Sequence, residues 1–259
     1  MIEYIASDLD GTLITYDMQA PAPEIFDLIR KLKEKGVRFI AASGRQYQSM
    51  RRMFEPIKDE ISYICENGSL CIHNGKTIAR GQIDRELGLR IIDAGREYGD
   101  CHLLLSCESR HYTDSKDPVF INHMRNVVHN EIEAVEDLHD IQEPFLKLAI
   151  ADFHGTERLA PFLQSRFSSE IRTVTAGKIW VDFLAPNADK GTALEALLAH
   201  LHIPAENGLA FGDQHNDIEM LKFAGTSYAM TSAAPGVSDY ADYVTDSVAD
   251  VMKKVLNTL

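Results

Sequence analysis

A chain of 259 residues, 45% hydrophobic and 25% charged, has the composition of a soluble globular protein and suffices for one large or two modest domains. A formal charge of −13 excludes the basic surface that nucleic-acid backbones require, and an anionic substrate would need a local positive device such as a metal ion, lysines or helix N-termini. No apolar run approaches the roughly 18 residues of a membrane span, and no basic, apolar, small-residue leader is present, so a cytoplasmic protein without membrane contact is expected.

The chain opens on Ile2–Leu13, IEYIASDLDGTL, in which Tyr4–Ala6 reads as a buried strand of a parallel sheet, apolar on both faces. Asp8 and Asp10 follow where the strand gives way to a loop. Side chains two apart in an extended segment point to one side, so these carboxylates repel unless a cation or a shared proton offsets them. A solvated Asx turn is the alternative reading of this stretch alone. Pro21–Gly36 carries Ile25, Leu28, Ile29 and Leu32 at helical spacing, with prolines at its start and Gly36 as C-terminal cap. Val37–Ala42 is a second buried strand running into Ser43-Gly44-Arg45, and Gln46–Phe54 a second helix. This strand–helix alternation implies parallel pairing with right-handed crossovers. Ile61–Cys65 is a third strand, followed by Glu66-Asn67-Gly68. Ser69–Ile72 and Thr77–Ala79 flank Asn74-Gly75, a type I′ hairpin signal.

From about residue 82 the texture changes. Asp84–Tyr98 reads as a helix, Leu103–Cys107 and Arg110–Thr113 as paired strands, and Pro118–Val128 as a helix. Phe145–Ala151 is a strand and Thr156–Phe167 a helix. Ile171–Thr175 and Lys178–Leu184 form a hairpin turning at Ala176-Gly177. This order predicts a separate α+β unit over 82–186, inserted into a core made of 1–81 and 187–259. The core resumes with a helix from Lys190-Gly191 to His200, a strand Asn207–Phe211 ending in Gly212-Asp213-Gln214-His215-Asn216-Asp217, and a helix Ile218–Ala224. Ser227–Met230, Tyr243–Val244 and a helix Val248–Leu256 complete it.

Cys65, Cys71, Cys101 and Cys107 lack Cys-x-x-Cys spacing and are expected as free thiols. His73, His102, His111, His123, His129, His139 and His154 lie in or near the insertion without a His-x-x-x-His pair, which favours ordinary histidines over a zinc site. Trp180 is expected in the core of the inserted unit rather than as a sugar-stacking platform.

Four loops stand in order: Asp8-x-Asp10-Gly-Thr, Ser43-Gly-Arg45, Lys190-Gly and Gly212-Asp213-x-x-Asn216-Asp217. Singly, each has an ordinary explanation: a turn, a loop pair, a surface lysine, a helix N-cap. Together they resemble the haloacid dehalogenase superfamily, and the insertion resembles the C2-type α/β cap of its Cof-type subfamily. The resemblance spans nearly the whole chain. It implies an α/β fold, a Rossmann-like three-layer core with a parallel sheet plus an inserted α+β cap domain. It further implies Asp8 as nucleophile forming an aspartyl-phosphate, and Asp10 as general acid and base. Lys190 would stabilise charge at the reacting group.

Dehalogenating members lack a carboxylate at the position of Asp10, and transport ATPases carry Thr there, so the resemblance points to rapid phosphate-ester hydrolysis. Mg2+ would be held by Asp8, the backbone carbonyl of Asp10 and Asp213, with Asp217 in or near its coordination sphere. Ser43 and Gly44 would donate hydrogen bonds to the phosphoryl group, while Arg45, Asn67 and Asn216 are candidate substrate contacts. The expectation is a Mg2+-dependent phosphatase of a small phosphorylated metabolite, sugar phosphates first. Two alternatives stay open: a phosphomutase or phosphotransferase with a sugar hydroxyl as acceptor, and a non-catalytic sensor of a phosphometabolite.

Overall fold

The computed structural model describes residues 1–15, 18–126, 130–176 and 178–259. In chain order its regular elements begin with β1 (Tyr4–Asp8), α1 (Pro23–Glu34), β2 (Arg38–Ala42), α2 (Tyr47–Met53), β3 (Ser62–Cys65), β4 (Leu70–His73) and β5 (Lys76–Arg80). Next come α3 (Arg85–Tyr98), β6 (His102–Ser106), β7 (His111–Thr113), α4 (Pro118–Asn126), β8 (Ile132–Ala134), β9 (Lys147–Ala151), α5 (Thr156–Phe167), β10 (Arg172–Ala176) and β11 (Trp180–Leu184). The last are α6 (Lys190–Leu201), β12 (Gly208–Gly212), α7 (Ile218–Phe223), β13 (Thr226–Met230), β14 (Tyr243–Thr245) and α8 (Val248–Thr258). The chain divides into two compact units, Met1–Arg80 with Asp189–Leu259, and Gly81–Ala188.

In the first unit an eight-stranded sheet runs β14-β13-β12-β1-β2-β3-β4-β5. All pairs from β14 to β3 are parallel, and β4 and β5 add an antiparallel meander. Every residue of β1 is buried, as the continuous apolar run predicts for a central parallel strand. Its alternate residues Tyr4 and Ala6 join Ile40, Ala42 and Ile64 against Ala193, Leu194, Leu197 and Leu198 of α6. Helix α1 buries Ile25, Phe26, Leu28, Ile29 and Leu32, has Pro23 in its first turn, and is followed by Gly36 at φ 87°. Asn74 and Gly75 take φ values of 50° and 70°, both positive as a type I′ turn requires.

Parallel pairing fixes where the chemistry can sit. Asp8 pairs with Ala42, and Ala42 with Ile64, while Ser7 pairs with Phe211. Strands β1, β2, β3 and β12 therefore end side by side, and the loops after them emerge at the carboxyl edge of the sheet, where open α/β sheets bind ligands.

The second unit holds a six-stranded sheet, β10-β11-β9-β6-β7-β8, antiparallel except for β7 with β8. Leu103, Leu105, Leu148, Ile150, Val181 and Phe183 pack on Ile91, Ile92, Leu159 and Leu163 of α3 and α5. On the other face Leu104, Ala149 and Ala151 meet Phe120 and Met124 of α4, and Trp180 packs there with its ring 6.2 Å from Phe120. Strand β8 departs from the sequence reading, which left residues 129–144 without an element. Ile132-Glu-Ala is too short and too polar to show periodicity, and it becomes a strand only by pairing with β7. The expected end of a helix at Val128, the residue His129 and the turn at Gly177 lie outside the described residues.

Tyr4 and Gly208 are direct partners across β1 and β12, and a Cβ on Gly208 would sit 2.2 Å from the Tyr4 ring. The Tyr4 hydroxyl meanwhile donates to the carbonyl of Ala205 at 2.8 Å. Gly208→Ala is therefore expected to destabilise the protein by about 1–3 kcal/mol through overpacking. Urea unfolding should show a lower midpoint at unchanged slope.

Candidate active site

Asp8 ends β1 and is 6% exposed. Lys190 opens α6, which Asp189 caps by accepting the Thr192 amide, and its side chain is fully buried. Its ammonium donates to Asp8 Oδ1 at 2.6 Å and to Asp217 Oδ1 at 2.5 Å. A close crossing of α6 over α7 makes this reach possible, since a Cβ on Gly191 would lie 2.6 Å from the Glu219 backbone.

The other oxygen of Asp217 accepts the backbone amides of Asp213 at 3.0 Å and Gln214 at 2.9 Å, closing the loop after β12 on itself. Asp213 is held from both sides: Thr12 Oγ1 donates to its Oδ1 at 2.8 Å and Gln214 Nε2 to its Oδ2 at 3.0 Å. Carboxylate oxygens of Asp8, Asp213 and Asp217 lie within 4.8 Å of one another, the one such group among the described residues.

Asp10 is turned to Arg45, whose Nε and Nη2 donate to its two oxygens at 2.7 and 2.6 Å in a bidentate pair. Ser43 is buried, and its Oγ accepts the amide of Arg45 at 3.2 Å. Asn216 Nδ2 donates to Asn67 Oδ1 at 2.8 Å.

All the residues expected from the sequence thus lie in the first unit. Asp8, Lys190, Asp213 and Asp217 form one cluster, while Asp10 with Arg45 and Asn67 with Asn216 form two further pairs. Thr12 and Gln214, the two side chains that hold Asp213, are the site residues that sequence reasoning passed over. Thr12 was within sight, as the last member of the Asp-x-Asp-Gly-Thr stretch. His215, inside the acidic loop, is exposed.

Two buried carboxylates share one ammonium with a third beside them, and their electrostatics follow. Burial pushes the Asp8 carboxyl well above the usual carboxylate range. Lys190 opposes that rise, and the charges of Asp217 and Asp213 add to it. Burial alone would favour a neutral Lys190, but Asp217 and Asp8 outweigh it and raise its pKa, keeping it charged. The Asp10 carboxylate raises the pKa of Arg45 against the effect of burial. The cysteines offer no competing nucleophile, since burial pushes the thiols of Cys71, Cys101 and Cys107 up to about 12.

A family model described as haloacid dehalogenase-like hydrolase matches residues 5–254. The 5-amino-6-(5-phospho-D-ribitylamino)uracil phosphatase YbjI of Escherichia coli is 26% identical over 264 residues, covering 98% of this chain and 96% of that protein. The HMP-PP phosphatase of Cronobacter sakazakii is 29% identical over 235 residues, covering 89% and 84%. A crystal structure from Eubacterium rectale superposes with a TM-score of 0.90 at 28% identity, over 98% of this chain and 99% of that one.

The raised Asp8 pKa means that folded protein without metal holds a proton there more tightly than the unfolded chain does. Stability then falls as pH rises from the ordinary carboxyl value, 3.8, through the folded value. In EDTA, Asp8→Asn is expected to melt above wild type at neutral pH, and the gap is expected to close as pH is lowered toward 4. Melting curves across that range test this, and a gap independent of pH would contradict it.

Proposed function

The chain belongs to the haloacid dehalogenase-like hydrolases, as a phosphoric monoester hydrolase of the Cof type, and we propose that it releases phosphate from a small phosphorylated metabolite with the help of Mg2+. The observation that carries this reading is the buried Lys190 ammonium bridging Asp8 and Asp217 beside Asp213. Such an array is costly unless it handles charge, because desolvated ions repay their burial poorly through mutual attraction.

In this reading Asp8 attacks phosphorus and becomes an aspartyl-phosphate. Lys190 occupies Oδ1 of Asp8, which leaves Oδ2 to attack, and it stabilises negative charge building on the phosphoryl group. Asp10 protonates the leaving oxygen and later takes a proton from the attacking water. Arg45 grips both Asp10 oxygens, so this pair must part and Asp10 must take up a proton from solvent before it can act as the acid. Ser43 accepts the Arg45 amide, so its own hydroxyl proton points elsewhere and serves a phosphoryl oxygen, assisted by the Gly44 amide.

The donor set fits Mg2+: only oxygens, with more carboxylates than one lysine can neutralise. Asp8, Asp213 and the backbone carbonyl of Asp10 would hold the ion. Asp217, whose oxygens are engaged by Lys190 and two amides, would contribute a third carboxylate beside them. Bound there, the ion would offset the excess negative charge and polarise the phosphoryl oxygens.

We assign substrate selection to the unit Gly81–Ala188 and the site of action to the cytosol. No helix among the described residues is long and apolar enough to cross a membrane. The named activities of the E. coli and C. sakazakii relatives support small phosphorylated metabolites, and sugar or sugar-alcohol phosphates come first.

Phosphate release from p-nitrophenyl phosphate and from a panel of such esters, with Mg2+ and with EDTA, tests the proposal. Turnover should require the metal. Asp8→Asn should abolish it and Asp10→Asn should lower kcat about 10²–10⁴-fold. An isomerised sugar phosphate in place of free phosphate would favour a phosphomutase. Folded protein that turns over no ester would favour a sensor.

A further inference from the structure

The six-stranded sheet of the unit Gly81–Ala188 has two unlike faces. One is apolar, with Leu105, Leu148 and Phe183 set against α3 and α5. Strand alternation puts Leu104, Ser106, Lys147, Ala149 and Asp182 on the other. Leu104 and Ala149 are met by α4, and beside them the face turns polar. Ser106 is the direct cross-strand partner of Lys147, and Asp182, as partner of Ala149, stands diagonally from Lys147. Ser106 is fully buried, and Lys147 and Asp182 are each 8% exposed.

A sheet face that buries a hydroxyl, an ammonium and a carboxylate gives up stability for them, because desolvated polar groups are costly unless bonded. Thr113, a buried hydroxyl on the same face of β7, shows the ordinary remedy and donates to the Leu103 carbonyl at 2.6 Å. Ser106 lacks it, and its Oγ has no hydrogen-bond partner among the described residues. Alanine would fit the same space and leave no polar atom unmet. A serine at this position therefore calls for a partner from outside the chain.

Given the phosphatase reading proposed above, on which this rests, we infer that Ser106, Lys147 and Asp182 select the substrate by binding alcohol groups of its leaving group, an uncharged polyol. An ammonium only donates, a carboxylate only accepts, and a serine hydroxyl does both. Alcohol groups both donate and accept, so a chain of them can satisfy all three kinds of partner at once. The strip carries one charge of each sign, which suits a neutral ligand. A second phosphate or a carboxylate on the leaving group would be drawn by Lys147 but repelled by Asp182. An apolar ring would offer the Ser106 hydroxyl no partner at all.

The test measures kcat/KM, in the full-length protein with Mg2+, for phosphate monoesters with growing numbers of free hydroxyls: ethyl phosphate, glycerol 1-phosphate and ribitol 5-phosphate. Wild type should favour ribitol 5-phosphate over ethyl phosphate. Ser106→Ala should shrink that preference about tenfold, the equivalent of one lost hydrogen bond. Lys147→Met and Asp182→Leu should shrink it on the order of tenfold to a hundredfold, since their bonds are charge-assisted. Should either of these two fail to fold, Ser106→Ala decides alone. It removes only an oxygen without a hydrogen bond among the described residues, so its melting temperature should be no lower than that of wild type.

Variants that lower kcat/KM for the ethyl and ribitol esters by the same factor would show a structural role and overturn the inference. A wild type without preference along the series, or a preference that Ser106→Ala leaves intact, would overturn it too. Wild-type protein that hydrolyses no ester would overturn the functional reading, and calorimetry would then decide the strip by itself. A Kd for ribitol 5-phosphate that Ser106→Ala weakens about tenfold more than the Kd for inorganic phosphate would support it, and equal shifts would overturn it.

Discussion

A lysine ammonium without solvent exposure, gripped by two carboxylates, is the interaction from which the rest of the site takes its arrangement. Burying a charge is tolerable only where its partners are buried with it and their remaining valences are met. Each neighbour of Lys190 meets that condition in its own way. Asp217 spends its second oxygen on two backbone amides, and Asp213 is braced by Thr12 and Gln214. Asp8 sits at the tip of a strand buried on both faces. The glycines carry the complementary part of the design. Gly191 admits α7, and Gly212 leaves room for Asp217, whose Cβ would otherwise stand 2.4 Å from a Gly212 side chain.

The charge balance of this cluster explains why an acidic protein can handle an anionic group. The net charge of −13 is spread over the molecule, whereas Asp8 meets a lysine in a low-dielectric setting where one charge counts heavily. The three carboxylates around it make a place for a hard cation. An anionic substrate and a multivalent cation are then mutually supporting tenants, each offsetting the repulsion that the other would face alone.

Much of this was legible in the sequence because its signals are local. The buried strand Tyr4–Asp8, the amphipathic Pro23–Glu34 and the Asn74-Gly75 turn each follow from short-range spacing. The acidic cluster was visible because strand ends in a parallel sheet share one edge, so motifs scattered along the chain converge by topology. What stayed hidden depends on contacts between segments. Ile132–Ala134 is a strand only because β7 lies beside it. Thr12 reaches Asp213 across 201 positions, and Asn67 meets Asn216 across 149, distances over which no periodicity operates. Arg45, Asn67 and Asn216, which the sequence marked as candidate substrate contacts, take neighbours that no spacing announced, Asp10 for Arg45 and each other for the two asparagines.

The pairing of β1 with β12 has a consequence for how the protein is made. Tyr4 finds its hydroxyl acceptor, Ala205, only after 201 further residues, so a fully buried strand of the first unit waits for its neighbour until most of the chain exists. The unit Gly81–Ala188 is continuous and ends before β12, Gly208–Gly212, is made. Synthesis from the N-terminus would therefore release a strand with one unsatisfied edge, then a self-sufficient unit, and only then the segment that closes the sheet. The insertion is in this sense a delay line. During that interval the exposed edge of β1, rather than any weakness of the finished structure, is where misassembly and chaperone capture would act.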